Sequence, residues 1–219
     1  MTTLRICFIG DSITAGTCDN LAMGWPARLS AHEIIENGHD ISSYNLGIRA
    51  ETSSQISARW ENEAIPRLPE HVDGRLVFMF GVNDMAIENA TASKQETRVS
   101  MDQSLINAKE IMAAATNFSK TPPLWIGITP LYSGGATISP GQGISYSFSK
   151  PRNQGLNTLY KQLAGQIGVD FLDLHDILDK DQAWDKMMKT GDGVHPTKKG
   201  YEKLAKVITN WPAWRAWFA

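Results

Sequence analysis

The feature that most constrains this chain is a regular alternation of short apolar runs with longer amphipathic segments. Each run has about the length of a strand, and several are apolar almost throughout, as expected where both faces of a sheet are covered. The runs occupy residues 4–9, 41–46, 76–80, 124–128 and 169–174. Strands that alternate with helices predict an α/β fold with a five-stranded parallel sheet between two layers of helices.

The segments between the runs carry the apolar stripe of helices that pack on a sheet. The clearest of them span 95–116, 151–167 and 198–210. No internal repeat or low-complexity linker divides the chain, so we predict one domain over residues 1–219.

Segment 131–150 departs from this regularity. It reads LYSGGATISPGQGISYSFSK and is rich in Gly and Ser, so we predict a long loop that is functional or mobile. In parallel sheets, ligands bind where strands end at their carboxyl edge. Because this segment follows the fourth strand, we expect it to border a site at that edge.

Composition and charge narrow the class of function. The chain has 23 acidic against 21 basic residues and no basic run, so we expect a small-molecule substrate and no nucleic-acid partner. No stretch approaches the ~18 apolar residues of a membrane span, and no signal peptide is visible, so we expect no integral membrane segment and a cytoplasmic location. The two cysteines make no disulfide framework.

Four polar motifs lie at predicted strand ends or just before a helix. They are GDSIT at 10–14, NLG at 45–47, GVND at 81–84 and DGVHP at 192–196. The predicted fold brings all four to one edge of the sheet, which is where a site is expected.

These motifs contain the groups that acyl transfer needs. A serine hydroxyl is a poor nucleophile until a base accepts its proton, and the base needs a carboxylate to fix its tautomer. We assign these roles to Ser12, His195 and Asp192. The oxyanion of the intermediate needs hydrogen-bond donors, for which the backbone N–H groups of Ser12 and Gly47 and the side-chain amide of Asn83 are candidates.

The four motifs, in this order and at this wide separation, resemble the four blocks of the SGNH/GDSL hydrolases. The resemblance spans residues 10–196. It implies a flavodoxin-like three-layer α/β/α sandwich and the activity of an esterase, lipase, thioesterase or carbohydrate esterase. It also implies a Ser-His-Asp triad and catalysis through an acyl-enzyme without a cofactor.

Some residues also have structural interpretations. Asp84 is expected to stabilise a turn, and His175 to have its hydrogen bonds satisfied in a structural role. Cys18 lies six residues after Ser12, but no neighbour in the sequence would activate it. The pair Asp192 and His195 could ligate a metal, yet no ligand cluster accompanies it, so we expect no metal.

Two functional alternatives remain open. The same site could pass the acyl group to an alcohol, which makes the enzyme an acyltransferase. A non-catalytic module that binds an acyl or carbohydrate ligand is disfavoured, because binding alone needs no Ser–His pair. For the tryptophan-rich tail at 211–218, packing over the sheet is favoured over a contact in a homo-oligomer, and association with a membrane is the least favoured.

Overall fold

The computed structural model describes residues 3–91, 93 and 95–219. Along the chain its elements are β1 (Thr3–Gly10), α1 (Ser12–Ala15), α2 (Gly24–Ile35), β2 (Asp40–Gly47), α3 (Ser53–Ala64), β3 (Gly74–Met79), β4 (Ile87–Glu88), α4 (Met101–Phe118), β5 (Leu124–Ile126), β6 (Ala136–Gly141), β7 (Ile144–Phe148), α5 (Lys150–Ile167), β8 (Asp170–Leu172), α6 (Leu174–Leu178), α7 (Gln182–Thr190), α8 (Lys198–Thr209) and α9 (Pro212–Ala216).

The main sheet is parallel and has the strand order β2-β1-β3-β5-β8. This is the flavodoxin-like order, in which the chain reverses its direction of winding beside the first strand. All five strands lie within the apolar runs or extend them by a few residues, so the predicted sheet is confirmed.

Helices cover both faces of the sheet and complete three layers. On one face, α2 packs against α8 and β2, and Phe8 of β1 contacts Trp25 edge-on at 5.3 Å between ring centroids. On the other face, α3, α4 and α5 pack in sequence, and Phe78 of β3 contacts Trp60 of α3 edge-on at 5.3 Å between ring centroids. The aromatic residues of β1 and β3 therefore fill opposite sides of the sheet, and the predicted sandwich is confirmed.

The helix predicted over 95–116 begins later than expected. It starts at Met101, because the Ser100 hydroxyl accepts a hydrogen bond from the Gln103 backbone N–H at 3.2 Å and caps the first turn. The prediction is therefore wrong for residues 95–100, where an N-cap serine was not recognised.

Segment 131–150 is largely a β-hairpin, so the prediction of a long loop is wrong. Strands β6 and β7 pair with each other, and β7 also pairs with β4 to complete a small antiparallel sheet. The turn Gly141-Gln142-Gly143 has positive φ at all three residues, which glycine adopts without strain. The Gly and Ser content that suggested a loop includes this turn.

The C-terminal tail packs on the β1 face, as predicted. Trp214 is fully buried, lies 6.4 Å from Phe8 between ring centroids, and donates its indole N–H to Glu33 at 2.9 Å. Among the described residues, no helix has the length and apolar character needed to cross a membrane.

Candidate active site

The candidate site begins at the carboxyl end of β1, where the chain turns into the short helix α1. Asp11 caps this helix by accepting a hydrogen bond from the Ile13 backbone N–H at 2.9 Å. Ser12 is the first residue of the helix and is 3% exposed. Its hydroxyl is therefore fixed at the edge of the sheet by a turn whose backbone geometry is set by its own cap.

Gly47 ends the neighbouring strand β2 against the backbone of α1. A Cβ atom at this position would lie 2.3 Å from the Ala15 nitrogen and 2.7 Å from the Asp11 carbonyl oxygen. Only glycine permits this close approach, which sets the Gly47 backbone beside the helix that carries Ser12.

Asp192 shapes the loop that carries His195 between α7 and α8. Its Oδ1 accepts hydrogen bonds from the backbone N–H groups of Val194 at 3.0 Å and His195 at 2.8 Å. Its Oδ2 lies 2.7 Å from His195 Nδ1. One carboxylate thus folds the loop and holds the imidazole.

The three predicted catalytic side chains form a continuous hydrogen-bonded chain. His195 Nε2 lies 2.7 Å from the Ser12 hydroxyl oxygen, and the imidazole is 5% exposed. Residues 183 positions apart in the sequence are therefore in direct contact, with the carboxylate on the far side of the imidazole ring. This arrangement can move a proton from the hydroxyl to the imidazole.

The predicted oxyanion donors lie at or shortly after the carboxyl ends of β1, β2 and β3, and two of them already have partners. Asn83, which is 3% exposed, donates from Nδ2 to the Glu51 carbonyl at 3.0 Å. The Gly47 N–H donates to the Asn45 side-chain oxygen at 3.0 Å. Asn83 keeps a second amide hydrogen, whereas the Gly47 N–H would have to be shared with Asn45.

The sequence that forms this site matches a known protein family. A model of the GDSL-like Lipase/Acylhydrolase family matches residues 8–203. The chain belongs to this family. It is therefore a carboxylic ester hydrolase, in agreement with the predicted class of enzyme.

Individual relatives agree with this membership. The chain is 25% identical to an acetylxylan esterase of Geobacillus stearothermophilus, over 93% of this chain and 91% of the relative. A solved lipase/acylhydrolase of Enterococcus faecalis matches with a TM-score of 0.70 at 20% identity, over 95% and 94% of the two chains. A solved acetylxylan esterase of G. stearothermophilus matches with a TM-score of 0.66 at 19% identity, over 96% and 95%. These two structural likenesses show the shared fold.

The carboxylate of the candidate site in this acylhydrolase is ionised at neutral pH. Partial burial of Asp192 raises its pKa, but hydrogen bonds from the His195 side chain and backbone, together with the charge of His195, outweigh this effect. The net result is a pKa of about 2, below the usual 3.8. A permanently negative Asp192 suits the task of orienting an imidazole and stabilising its protonated form.

Two further carboxyl groups lie buried beside the Ser12 and Asn83 motifs of the acylhydrolase. Burial raises the pKa of Asp11 to about 7, and the nearby carboxylates Asp84 and Glu51 contribute to this rise. Burial also raises the pKa of Asp84, whose Oδ1 accepts a hydrogen bond from the Ser53 backbone N–H at 2.7 Å. Asp84 thus joins the loop after β3 to the start of α3, in line with its predicted structural role.

Sequence reasoning missed Arg59, which holds two strand ends of the site together. From α3, its Nη2 donates to the carbonyl oxygens of Leu46 at 2.9 Å and Gly10 at 3.2 Å. Its Nε also donates to the Glu51 carboxylate at 2.6 Å. Arg59 therefore fixes the spacing of the loops that carry Ser12 and Gly47. No local sequence pattern predicts such a contact.

Asn45 belongs to the NLG motif, for which the sequence analysis predicts a role only at Gly47. Its Nδ2 donates to the Thr14 carbonyl at 2.8 Å, while its oxygen accepts the Gly47 N–H. One amide therefore joins α1 to the end of β2. The signal was its position two residues before Gly47, the spacing of an Asx turn.

The two alternatives to the predicted nucleophile and base have different surroundings. His175 is buried in α6, and neither ring nitrogen has a hydrogen-bond partner among the described residues. The expectation of satisfied hydrogen bonds is therefore wrong, and desolvation lowers the pKa of His175. Cys18 is exposed, and desolvation together with the Asp192 carboxylate raises the pKa of its thiol to about 11, so no group activates it as a nucleophile.

The β6–β7 hairpin borders the loop that carries His195, as expected for segment 131–150. The Tyr132 N–H donates to the Gly193 carbonyl at 3.0 Å. Gly193 has a φ of 87°, and a Cβ atom there would lie 2.7 Å from that of Ala136. On its other side the hairpin pairs with β4, which follows Asn83. The hairpin thus joins the loops that carry Asn83 and His195.

Proposed function

We propose that this acylhydrolase cleaves its substrate through an acyl-enzyme on Ser12, with His195 as base and Asp192 as its orienting carboxylate. The observation that carries the proposal is the unbroken chain of contacts, with 2.7 Å from Ser12 Oγ to His195 Nε2 and 2.7 Å from His195 Nδ1 to Asp192 Oδ2. Such a chain joins a nucleophile, a base and a carboxylate in the order that acyl transfer needs.

The reaction begins when Ser12 Oγ attacks the carbonyl carbon of the ester and its proton passes to His195 Nε2. The tetrahedral intermediate collapses, the bond to the alcohol oxygen breaks, and the imidazolium protonates that oxygen. Water then attacks the acyl carbon, gives a proton to Nε2, and the acid leaves as Ser12 recovers its proton. The ionised Asp192 stabilises the imidazolium in both halves of the cycle.

The oxyanion is assigned to the backbone N–H groups of Ser12 and Gly47 and the free amide hydrogen of Asn83. Three strand ends supply these donors, so their positions are set by the sheet and are ready before charge develops. Sharing of the Gly47 N–H with Asn45 makes it the weakest of the three donors in this proposal.

For the substrate, we propose a short acyl ester, in the first instance the acetyl ester of a carbohydrate. The support is the relative whose name is acetylxylan esterase, which aligns over 93% of this chain. The competing hypothesis within the same family is a lipase that cleaves esters with long acyl chains.

The test of the mechanism is covalent labelling. A fluorophosphonate probe should modify wild-type protein at Ser12, as located by mass spectrometry of the digested protein. Ser12→Ala should not be labelled and should lose on the order of a millionfold in kcat, the cost seen for a triad nucleophile. Unchanged labelling or turnover in Ser12→Ala would remove Ser12 from the mechanism.

The test of the substrate class compares acyl lengths and alcohols. Nitrophenyl esters from acetate to palmitate, an acyl-thioester and an acetylated xylo-oligosaccharide should be assayed side by side, with Ser12→Ala as the blank. We expect kcat/KM to fall with acyl length and acetate to be released from the acetylated sugar. A maximum at palmitate would favour the lipase reading.

A further inference from the structure

The exposed Cys18 thiol contacts the carboxylate that holds His195. Cys18 Sγ lies 3.6 Å from Asp192 Oδ2, the same oxygen that lies 2.7 Å from His195 Nδ1. One ligand atom from each of these three residues lies within 4.8 Å of the other two. Three types of metal ligand therefore meet at one point, and the prediction that no further ligand accompanies Asp192 and His195 is wrong.

A thiolate, an imidazole and a carboxylate together suit a borderline-soft divalent cation such as Zn²⁺ better than they suit Mg²⁺ or Ca²⁺. We propose that Cys18, Asp192 and His195 form an inhibitory site for a thiophilic divalent cation. Inhibition by the bound cation rests on the proposed roles of His195 and Asp192 in catalysis, whereas binding of the cation does not.

Two of the three separations between ligand atoms can be compared with those of a tetrahedral site. With Zn–S near 2.3 Å and Zn–O near 2.1 Å, tetrahedral geometry needs a separation of about 3.6 Å between sulfur and oxygen. Cys18 Sγ and Asp192 Oδ2 already have that separation of 3.6 Å. Tetrahedral nitrogen and oxygen ligands lie about 3.3 Å apart, so His195 Nδ1 must separate from its present 2.7 Å.

The backbone around Cys18 holds the thiol in place. Cys18 has a φ of 68°, in the left-handed region. The next residue, Asp19, accepts hydrogen bonds from the backbone N–H groups of Leu21, Met23 and Gly24. On the other side, the Thr17 carbonyl accepts the Tyr201 hydroxyl at 2.8 Å. Since these contacts fix the turn, the thiol is already positioned beside the carboxylate.

Binding of the cation would disable the proposed base. The Cys18 thiol would lose its proton to solvent, and the thiolate and Asp192 would neutralise the two charges of the cation. A metal on Nδ1 needs the lone pair of that nitrogen, so the imidazole proton would move to Nε2, opposite the Ser12 hydroxyl. A protonated Nε2 cannot accept the serine proton, and hydrolysis should stop.

Binding can be measured without turnover by titrating Co²⁺ into the protein. Wild type should develop a thiolate-to-cobalt charge-transfer band in the near ultraviolet, and Cys18→Ser should not. The buried Cys7 is present in both proteins and serves as an internal control. Cys18→Gly, which suits the positive φ, guards against a folding defect in the serine variant. If both Cys18 variants developed a band as strong as that of wild type, the site would be overturned.

Inhibition is measured with Zn²⁺ under the same conditions. Each protein is compared with its own rate in the presence of a chelator, and the concentration of Zn²⁺ that halves this rate should rise on the order of a hundredfold in Cys18→Ser, since loss even of an outer partner of a metal ligand costs 10- to 100-fold in affinity. Equal sensitivity of wild type and variant would overturn the proposal.

A last measurement separates this proposal from the proposed mechanism. Ser12→Ala should give the same Cys18-dependent cobalt band as wild type, because Ser12 is not a ligand. If Ser12→Ala kept its esterase rate but also this band, the proposed mechanism would fail and the metal site would stand. A cobalt band in wild type together with full esterase activity in saturating Zn²⁺ would overturn the inhibitory role.

Discussion

At the scale of single residues, the two oxygens of Asp192 have separable tasks. Oδ1 receives two backbone N–H groups, and Oδ2 receives the imidazole. Asp192→Asn can keep an oxygen toward the backbone while turning its NH₂ group toward Nδ1. An amide donor there favours the tautomer with its proton on Nε2, so we expect kcat to fall between tenfold and a thousandfold with little loss of stability.

The measurement compares Asp192→Asn with His195→Ala in kcat/KM and in thermal unfolding. His195→Ala should be the slower enzyme, because it removes the proposed base and not only its orientation. An Asp192→Asn protein as active as wild type from pH 5 to 9 would reduce the proposed triad to a Ser–His dyad.

The free amide hydrogen of Asn83 gives the second prediction. Asn83→Ala removes one proposed oxyanion donor, and we expect kcat to fall about a hundred- to a thousandfold with little change in KM. Asn83→Asp is the matched control, because it keeps the shape of the side chain, supplies no amide hydrogen and adds charge, so it should be at least as slow. A change confined to KM would assign Asn83 to substrate binding in the ground state.

The buried carboxyl of Asp11 gives a prediction about pH and stability. Its pKa is about 7 in the folded protein against the usual 3.8, so the protonated form is favoured by folding. This contribution is fully present below pH 3.8 and is lost as the pH rises through 7. Asp11→Asn keeps an oxygen for the Ile13 N–H and cannot ionise.

The midpoint of thermal unfolding, measured from pH 4 to pH 8, tests this contribution. Asp11→Asn should gain stability relative to wild type as the pH rises. A constant difference between the two proteins over this range would contradict the buried, titrating carboxyl.

At the scale of elements, the β6–β7 hairpin combines a base packed beside the site with an exposed tip. Its base contacts Gly193 and β4, whereas residues 139–143 at its tip are exposed. Replacing 139–145 by Asn-Gly would close the hairpin at the pair Ile138 and Tyr146. We expect this change to alter the ranking of ester substrates while the melting temperature changes little.

A second variant tests the hairpin without shortening it. Arg152→Met removes the donors to the carbonyl oxygens of Met85 and Ser147 and so loosens the hairpin. Both variants should shift relative kcat/KM among esters of different alcohols. A uniform change on all esters would show that the hairpin is remote from the bound substrate.

Elements differ in how far the sequence predicts them. The five parallel strands were predictable because burial on both faces makes their apolar runs nearly continuous. The hairpin was not, because its strands are half-exposed and the Gly141–Gly143 turn resembles loop composition. Each site motif was recognisable from its own residues. The contacts of Arg59 and Cys18 were not, because their partners lie 49 and 174 positions away in the sequence.

At the scale of the whole molecule, one hydrophobic cluster joins residues from Leu4 to Trp217. This continuity supports the prediction of one domain, which stays a prediction. Trp214 gives a test, since Trp214→Ala removes its packing against Phe8 and leaves the buried Glu33 without the indole donor. We expect a loss of about 3–5 kcal/mol in the free energy of unfolding.

Urea denaturation measures this loss, with Trp211→Ala as the control because Trp211 is only partly buried. The control should lose clearly less. Equal losses in the two variants would mean that Trp214 is not the tail residue that secures the β1 face.

The contact between Ser12 and His195 also has a consequence for the time at which the enzyme becomes active. The ribosome makes the serine 183 residues before the histidine. At synthesis rates of about 5–20 residues per second, the two are separated by roughly 10–40 s. A similar time passes between the synthesis of strand β1 and that of Trp214, which packs against Phe8 of this strand. In the proposed mechanism, a nascent chain therefore carries an unactivated serine until His195 has been made and has folded against it.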